Sequence, residues 1–189
     1  MYEVELKVRA DHDTVGERLD EIGAQRIGTV SQEDVYYDAP DRDFAETDEA
    51  LRIRTESADE PVTRLTYKGP LVESESKTRQ EAETAVADPA EIRAILDGLG
   101  YEPAATVRKD REQYAVDGCT VTLDAVDGLG EFVEAELEVE DGIDEARGRL
   151  ETVLEKLGLD PEDQIRTSYL GLLLAEADAD PTDPLASIA

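Results

Sequence analysis

This 189-residue sequence predicts an α+β fold: a closed or nearly closed antiparallel β-barrel with a charged interior and helices packed on its outside. Three observations carry that prediction. At least six segments alternate charged and apolar residues with a period of two, which gathers the charge of each strand on one face. Two of those charged faces, in 50–56 and 62–68, are cationic, although Asp and Glu total 48 against 19 Lys and Arg. A surface strand would share the acidic bias of the chain, so a cationic face is better placed inside. The apolar faces also have cover available, because three or four segments read as amphipathic helices.

Taken in order, the first strand at 2–9 sets Glu3, Glu5, Lys7 and Arg9 against Tyr2, Val4, Leu6 and Val8. A helix over 13–23 follows, with Val15, Leu19 and Ile22 on one stripe and Gly23 at its end. His12 just before it reads as a solvated helix-entry residue rather than a base or ligand. Strands are expected at 33–38, 50–56 and 62–68. Arg52 and Arg54 oppose Leu51 and Ile53, and Arg64, Thr66 and Lys68 oppose Leu65 and Tyr67. The stretches "DAPDRDFAETDEA" and "GPLVESESKT" read as polar loops. A strand at 78–86 carries Arg79, Glu81 and Glu83 on one face.

The second helix opens on Asp88 as N-cap and Pro89 as first helical residue, with Ile92, Leu96 and Leu99 as its stripe. Strands at 106–116 and 119–125 flank the Asp-Gly hairpin signal "VDG". Lys109 and Arg111 share a face in the first of these, and Asp124 lies opposite Leu123 in the second. The last strand, 131–140, opposes Glu134, Glu136 and Glu138 to Val133, Ala135, Leu137 and Val139. A third helix covers 144–157, and a fourth, 160–176, is interrupted or kinked near Gly171. Residues 1–176 form one domain, and 177–189 read as a disordered acidic tail. Glu-x-Glu recurs in "EVELK", "EAETAV" and "EAELEV", each time ahead of a helix. This is either a duplicated strand–helix unit or chance in so acidic a chain.

The formal net charge of −29 opposes broad binding to nucleic acid phosphates. It fits the cytoplasm of a salt-adapted organism, where salt screens the self-repulsion. No apolar run reaches transmembrane length, and the chain starts in a charged strand without a signal peptide. The single cysteine, Cys119, allows no internal disulfide, argues against a thiolate metal site, and has no His partner that would make it a nucleophile.

Carboxylates two residues apart on a strand stand about 6.5–7 Å apart. At an effective dielectric of about 20 each such pair repels by roughly 2–3 kcal/mol. An enclosed face holding Glu3, Glu5, Glu134 and Glu136 therefore calls for cations. Hard oxygen ligands without His or Cys suit Mg²⁺ or Mn²⁺, and Arg forks with Lys point charges suit phosphate.

The opening Glu3-x-Glu5-x-Lys7 resembles the ExExK signature of CYTH domains, the triphosphate tunnel metalloenzymes. The likeness runs over about 2–170 through "QEDVYYD", "EALRIR", "LTYKGP", "TRQEAE", "VRKDREQY", "LDAVDGLGEFVEAELE" and "RTSYLGLL". The spans "QEDVYYDAPDRDFAETDEALRIR" and "LDAVDGLGEFVEAE" look most like the class IV adenylyl cyclase branch. The resemblance implies an eight-stranded tunnel that binds a triphosphate and Mg²⁺ or Mn²⁺. It implies Glu3, Glu5, Glu134 and Glu136 as metal-side carboxylates, with Asp124 as a further member. Lys7, Arg52, Arg54, Lys68, Arg79, Lys109 and Arg111 would line the phosphate path, and Arg166 is the basic candidate beside "SY". Lys7 and Arg111 are the catalytic candidates, Lys7 as a phosphate contact first. The implied partners are ATP or inorganic triphosphate and a second copy of the chain, with no nucleic acid and no membrane. Cyclisation of ATP, hydrolysis of a triphosphate, and noncatalytic nucleotide or polyphosphate binding remain the three functional readings.

Overall fold

The alternating segments close on themselves. The structure, a computed structural model, describes residues 2–57, 61–72 and 75–179. Its strands are β1 (Tyr2–Arg9), β2 (Gln25–Asp38), β3 (Ala50–Ser57), β4 (Val62–Leu71), β5 (Arg79–Val86), β6 (Glu102–Val116), β7 (Cys119–Val126) and β8 (Gly130–Val139). They form one closed antiparallel barrel in the order β1-β5-β4-β3-β2-β6-β7-β8. The closure is uneven. β1 and β8 pair along the whole of β1, from Tyr2–Val139 to Arg9–Phe132, whereas β1 and β5 share just Tyr2–Gln80 and Glu3–Arg79.

Helices cover the outer face, as the apolar parity requires. They are α1 (His12–Glu21), α2 (Phe44–Thr47), α3 (Pro89–Gly98), α4 (Ile143–Lys156) and α5 (Tyr169–Ala179). Val4, Leu6 and Val8 of β1 join Val121, Leu123, Val133 and Ala135 against α1 and α4, which supply Val15, Leu19, Leu150, Val153 and Leu154. Truncating one of these leucines to Ala costs about 2–5 kcal/mol. On the other side, Leu96 of α3 packs on Tyr37 and Ile53. The caps act as expected: Asp11 accepts from the Thr14 N–H, and Asp88 from the Ala90 and Glu91 N–H groups. Asp117 and Gly118 both have positive φ, 51° and 75°, the two left-handed residues that a tight β6–β7 hairpin needs.

Several expectations need correction. β2 begins at Gln25 rather than 33, because a register shift between Arg26 and Gly28 breaks its alternation. β6 begins at Glu102 rather than 106; Pro103 disguises it, opposite a second shift at Tyr36/Tyr37. The loop after β2 contains the short α2. Ile22 and Leu99 are exposed rather than buried, since each is the C-cap residue beyond the last helical turn. His12 is half-buried, and its ring Nε2 donates to the Phe132 carbonyl at 3.0 Å.

The fourth expected helix is two pieces. Asp160 and Pro161 start only a 3₁₀ turn, Pro161–Asp163, and Gln164 leaves it with ψ 139°. The chain then runs alongside β1, where the Ile165 N–H donates to the Lys7 carbonyl at 2.6 Å, before α5 begins at Tyr169. Of the expected tail, 177–179 belong to α5 and 180–189 lie outside the described residues.

Candidate active site

The three Glu-x-Glu strands, distant in sequence, are consecutive in the barrel as β5–β1–β8. Glu5 stands directly opposite Glu136, and Lys7 opposite Glu134. Each of these residues has the parity opposite to the apolar outer face, so Glu3, Glu5 and Lys7 point inward together with Glu81, Glu134 and Glu136. The facing wall is cationic: Arg52 and Arg54 from β3, Lys68 from β4, Lys109 and Arg111 from β6. Of the chain's five lysines, four (Lys7, Lys68, Lys77 and Lys109) carry buried or half-buried ion pairs here, in a protein with 48 acidic residues. A charge-bearing interior is therefore built at the expense of the surface.

Two ion-pair clusters fill the middle of the barrel. In the first, Asp124 is fully buried and saturated by the protein's own donors. It accepts from Lys109 Nζ at 2.9 Å, from Arg111 Nε and Nη2 at 2.6 Å each, and from the Tyr169 hydroxyl at 3.0 Å. Arg111 Nη2 also reaches Glu134 at 2.5 Å, and Lys7 lies 4.0 Å from Glu134. Asp124 thus anchors the cations rather than presenting an open carboxylate. In the second cluster Lys68 bridges Glu3 at 2.6 Å and Glu81 at 2.7 Å. Nearby, Asp34 takes a bidentate contact from Arg54 at 2.6 and 2.7 Å and one from Arg52 at 3.2 Å.

Burial opposes every charge in this interior, and the partners decide which charges survive. Asp34, Asp124 and Glu134 are held below the usual carboxylate range against burial: Arg52 and Arg54 do this for Asp34, and Lys109 and Arg111 for the other two. Glu3 is lowered likewise, chiefly by Lys68. Glu136 is pushed up to about 7 by burial, with Glu3, Glu134 and Glu5 adding to it against Arg111. Glu81 also rises to about 7 through burial and its neighbour Glu3. Burial brings Lys7 down to about 8 with help from Lys77, and Lys109 to about 8 with help from Arg111.

Carboxylates around Glu5 and Glu136 therefore outnumber the cations that satisfy them. Their hard-oxygen donor set fits a divalent ion of the Mg²⁺ or Mn²⁺ type. The cage is not preformed: among the described residues no three carboxylates are already grouped around one point. Anion-binding capacity is also left over. Arg52 Nε and Arg79 Nε are buried without a hydrogen-bond partner among the described residues.

The segment after the 3₁₀ turn closes one end of the barrel. Tyr169 packs edge-on against Phe132, ring centroids 5.0 Å apart, within a buried cluster that includes Val107, Val126 and Leu129. The ammonium groups of Lys7 and Lys109 stand 4.2 and 4.9 Å from the centre of its ring. Lys7 Nζ also donates to the Thr167 carbonyl at 2.7 Å. At the opposite end the inward positions open to solvent: along β8, Glu134 is buried, Glu136 half-buried and Glu138 exposed.

Of the residues expected in the site, Glu3, Glu5, Lys7, Arg52, Arg54, Lys68, Lys109, Arg111, Asp124, Glu134 and Glu136 come together. Arg79 is buried at the edge of the set, where it binds the Asp48 carboxylate at 2.7 Å. Arg166 does not join them. It is exposed and lies in the extended segment before α5 rather than in a helix. The contribution of "RTSYLGLL" is Tyr169 and the Thr167 carbonyl instead. Sequence reasoning also missed Asp34 and Lys77. Asp34 shares its parity with Gln32, so the alternation of β2 could have found it, whereas nothing periodic marks Lys77 in its loop.

The chain matches the CYTH domain family over residues 1–169. It belongs to that family. MJ0240 of Methanocaldococcus jannaschii, whose name as an adenylate cyclase is itself provisional, is 42% identical over 91% of this chain and 98% of its own. The adenylate cyclase CyaB of Aeromonas hydrophila is 28% identical over 89% of this chain and 86% of its own. Among solved structures, the PH1819 protein of Pyrococcus horikoshii OT3 is 42% identical with a TM-score of 0.86, covering 92% of this chain and 99% of that one. Among the described residues no helix of this CYTH protein is long and apolar enough to cross a membrane.

Proposed function

We propose that this CYTH protein is a divalent-metal-dependent enzyme acting on a triphosphate, and that its reaction is conversion of ATP to 3′,5′-cyclic AMP and pyrophosphate. The observation that carries the reading is the bipolar interior: a carboxylate wall on β5–β1–β8 faces a wall of Arg and Lys inside one closed barrel. An anion-binding protein needs the cations alone; a metal–triphosphate site needs both. The names of two relatives support the cyclase reading of that site.

Glu3, Glu5, Glu134 and Glu136 are the residues that would hold the metal. When bound, it neutralises phosphate oxygens and makes the attacked phosphorus more electrophilic. Arg52, Arg54, Lys68 and Lys109 cradle the phosphate chain, with Asp34 fixing the two guanidinium forks, Asp124 the Lys109 head, and Glu3 and Glu81 the Lys68 head. Lys7 and Arg111 both reach Glu134, at the junction of the two walls, and so stand where charge builds on the reacting phosphoryl group. In the cyclase reaction the ribose 3′-oxygen, losing its proton, bonds to the α-phosphorus as the bond to the pyrophosphate oxygen breaks.

Hydrolysis of inorganic or nucleoside triphosphate is the second reading, and one observation favours it. Toward the open end the inward positions Gln113, Thr120, Glu136 and Glu138 are polar, while the buried rings of Phe132 and Tyr169 lie at the covered end. No stacking surface for a base lines that approach among these residues. Incubation with 3′-deoxy-ATP separates the readings. A cyclase leaves it intact, for want of the attacking hydroxyl, yet converts ATP to cyclic AMP; a triphosphatase releases orthophosphate from both.

A further inference from the structure

Lys77 is the tunnel cation that no strand carries. It lies in the loop between β4 and β5, yet its ammonium donates to Glu5 Oε1 at 2.8 Å and its backbone N–H to the Glu5 carbonyl at 3.3 Å. The side chains are 13% and 6% exposed, so the pair is a tunnel contact and not a surface one. The short β1–β5 seam explains how a loop residue gets there. Beyond Glu3–Arg79 the strands stop pairing, and the loop takes the place of β5 alongside β1. Its end is pinned: the Val72 N–H donates to the Thr78 carbonyl at 3.0 Å, and the buried hydroxyls of Ser76 and Thr78 meet at 2.6 Å.

Two of the other interior cations are held more firmly. Lys68 and Arg111 are each shared between two carboxylates, and both are fixed by strands on either side. Lys77 is bonded to Glu5, and Glu5 faces Glu136 with Glu134 two residues away on the same strand. Without the Lys77 charge, Glu5 and Glu136 would face each other across the β1–β8 ladder with no ammonium on Glu5. An ammonium brings one positive charge and three donors, whereas a divalent ion brings two charges and direct contact with the oxygens. The flexible four-carbon stem lets the ammonium move several ångströms without unfolding the loop.

We propose that Lys77 holds the place of the divalent cation at Glu5, and that it leaves that carboxylate when the metal enters and turns to the bound phosphate chain. The proposal rests on the reading of Glu5 as a metal-side residue. Lys77 is then a positioning residue that suppresses metal binding in the empty enzyme and couples it to substrate.

Two measurements test this, neither of which depends on turnover. Lys77→Met keeps the stem and removes the charge. Mn²⁺ binding without substrate, followed by electron paramagnetic resonance, should tighten about tenfold or more, as expected for loss of a competing charge-assisted contact. Lys156→Met on the outer surface, where Lys156 pairs with Asp117, should change nothing. In the wild type, amine-reactive labelling read by mass spectrometry should increase at Lys77 when Mn²⁺ is added, and the added inorganic triphosphate should reverse the increase. Unchanged or weaker Mn²⁺ affinity in folded Lys77→Met, or unchanged labelling of a wild type that does bind Mn²⁺, overturns the place-holder role alone. Absence of both Mn²⁺ binding and triphosphate binding in the wild type overturns the parent reading instead.

Discussion

Asp34→Asn removes a buried charge that two arginines share, with almost no change in side-chain volume. The wild-type carboxylate is 3% exposed and takes three guanidinium hydrogen bonds between 2.6 and 3.2 Å. Breaking a buried ion pair by removing one partner costs about 3–5 kcal/mol. The amide keeps one acceptor oxygen for Arg54, which places the expected loss near the lower end, about 3 kcal/mol. A domain of this size has roughly 5–15 kcal/mol in total, so the variant still folds and the loss is measurable by urea denaturation.

The pH dependence gives the sign. Arg52 and Arg54 hold the Asp34 carboxyl below its unfolded-state value, against burial. Its stabilisation is therefore fully present above about pH 4 and fades as the pH falls below that. The wild type's advantage over Asp34→Asn should be largest near neutrality and shrink toward acid. A loss under about 1 kcal/mol, or an advantage that does not shrink, would refute the view that this carboxylate organises Arg52 and Arg54.

Three further outcomes are expected. Glu5→Gln and Glu134→Gln should lower metal-dependent turnover by about a hundredfold or more while triphosphate still binds by calorimetry, since the cationic wall is untouched. Tyr169→Phe should cost about 1.5–3 kcal/mol in urea denaturation through the lost hydroxyl contact to Asp124, with the ring still seated between Lys7 and Lys109. With a net charge of −29, the midpoint of thermal unfolding should rise as KCl is raised from dilute buffer toward molar concentrations.

Strand parity was the legible part of this fold. A two-residue period states which face of β1, β3, β4 and β8 is charged, and the cationic bias of two faces in an acidic chain says that the charge points inward. What parity cannot state is adjacency. That β5, β1 and β8 are neighbours, so that three Glu-x-Glu motifs form one wall, depends on barrel order rather than on any local pattern. Register shifts hid the first eight residues of β2 and the start of β6, because a bulge resets the alternation it interrupts. The C-terminal segment departs from its local signal for a different reason. "DPEDQIRTSYLGLLL" opens on the same Asp-Pro start signal as α3, but Ile165 gains a backbone hydrogen bond to β1 and Tyr169 a buried hydroxyl contact, and these tertiary contacts override the local signal. The same override left Arg166 outside the tunnel. Lys77 sits on no periodic element, and its place in the tunnel follows from a β1–β5 seam just two pairs long.

Metal-dependent turnover by the wild-type protein tests the central claim most directly. The protein, held in high KCl, is incubated separately with ATP and with inorganic triphosphate, each with Mg²⁺ or Mn²⁺ or with chelator. The products are separated by anion exchange. The bipolar tunnel predicts turnover with metal and none with chelator, with cyclic AMP and pyrophosphate as the products from ATP. Failure to turn over either triphosphate with either metal would contradict it.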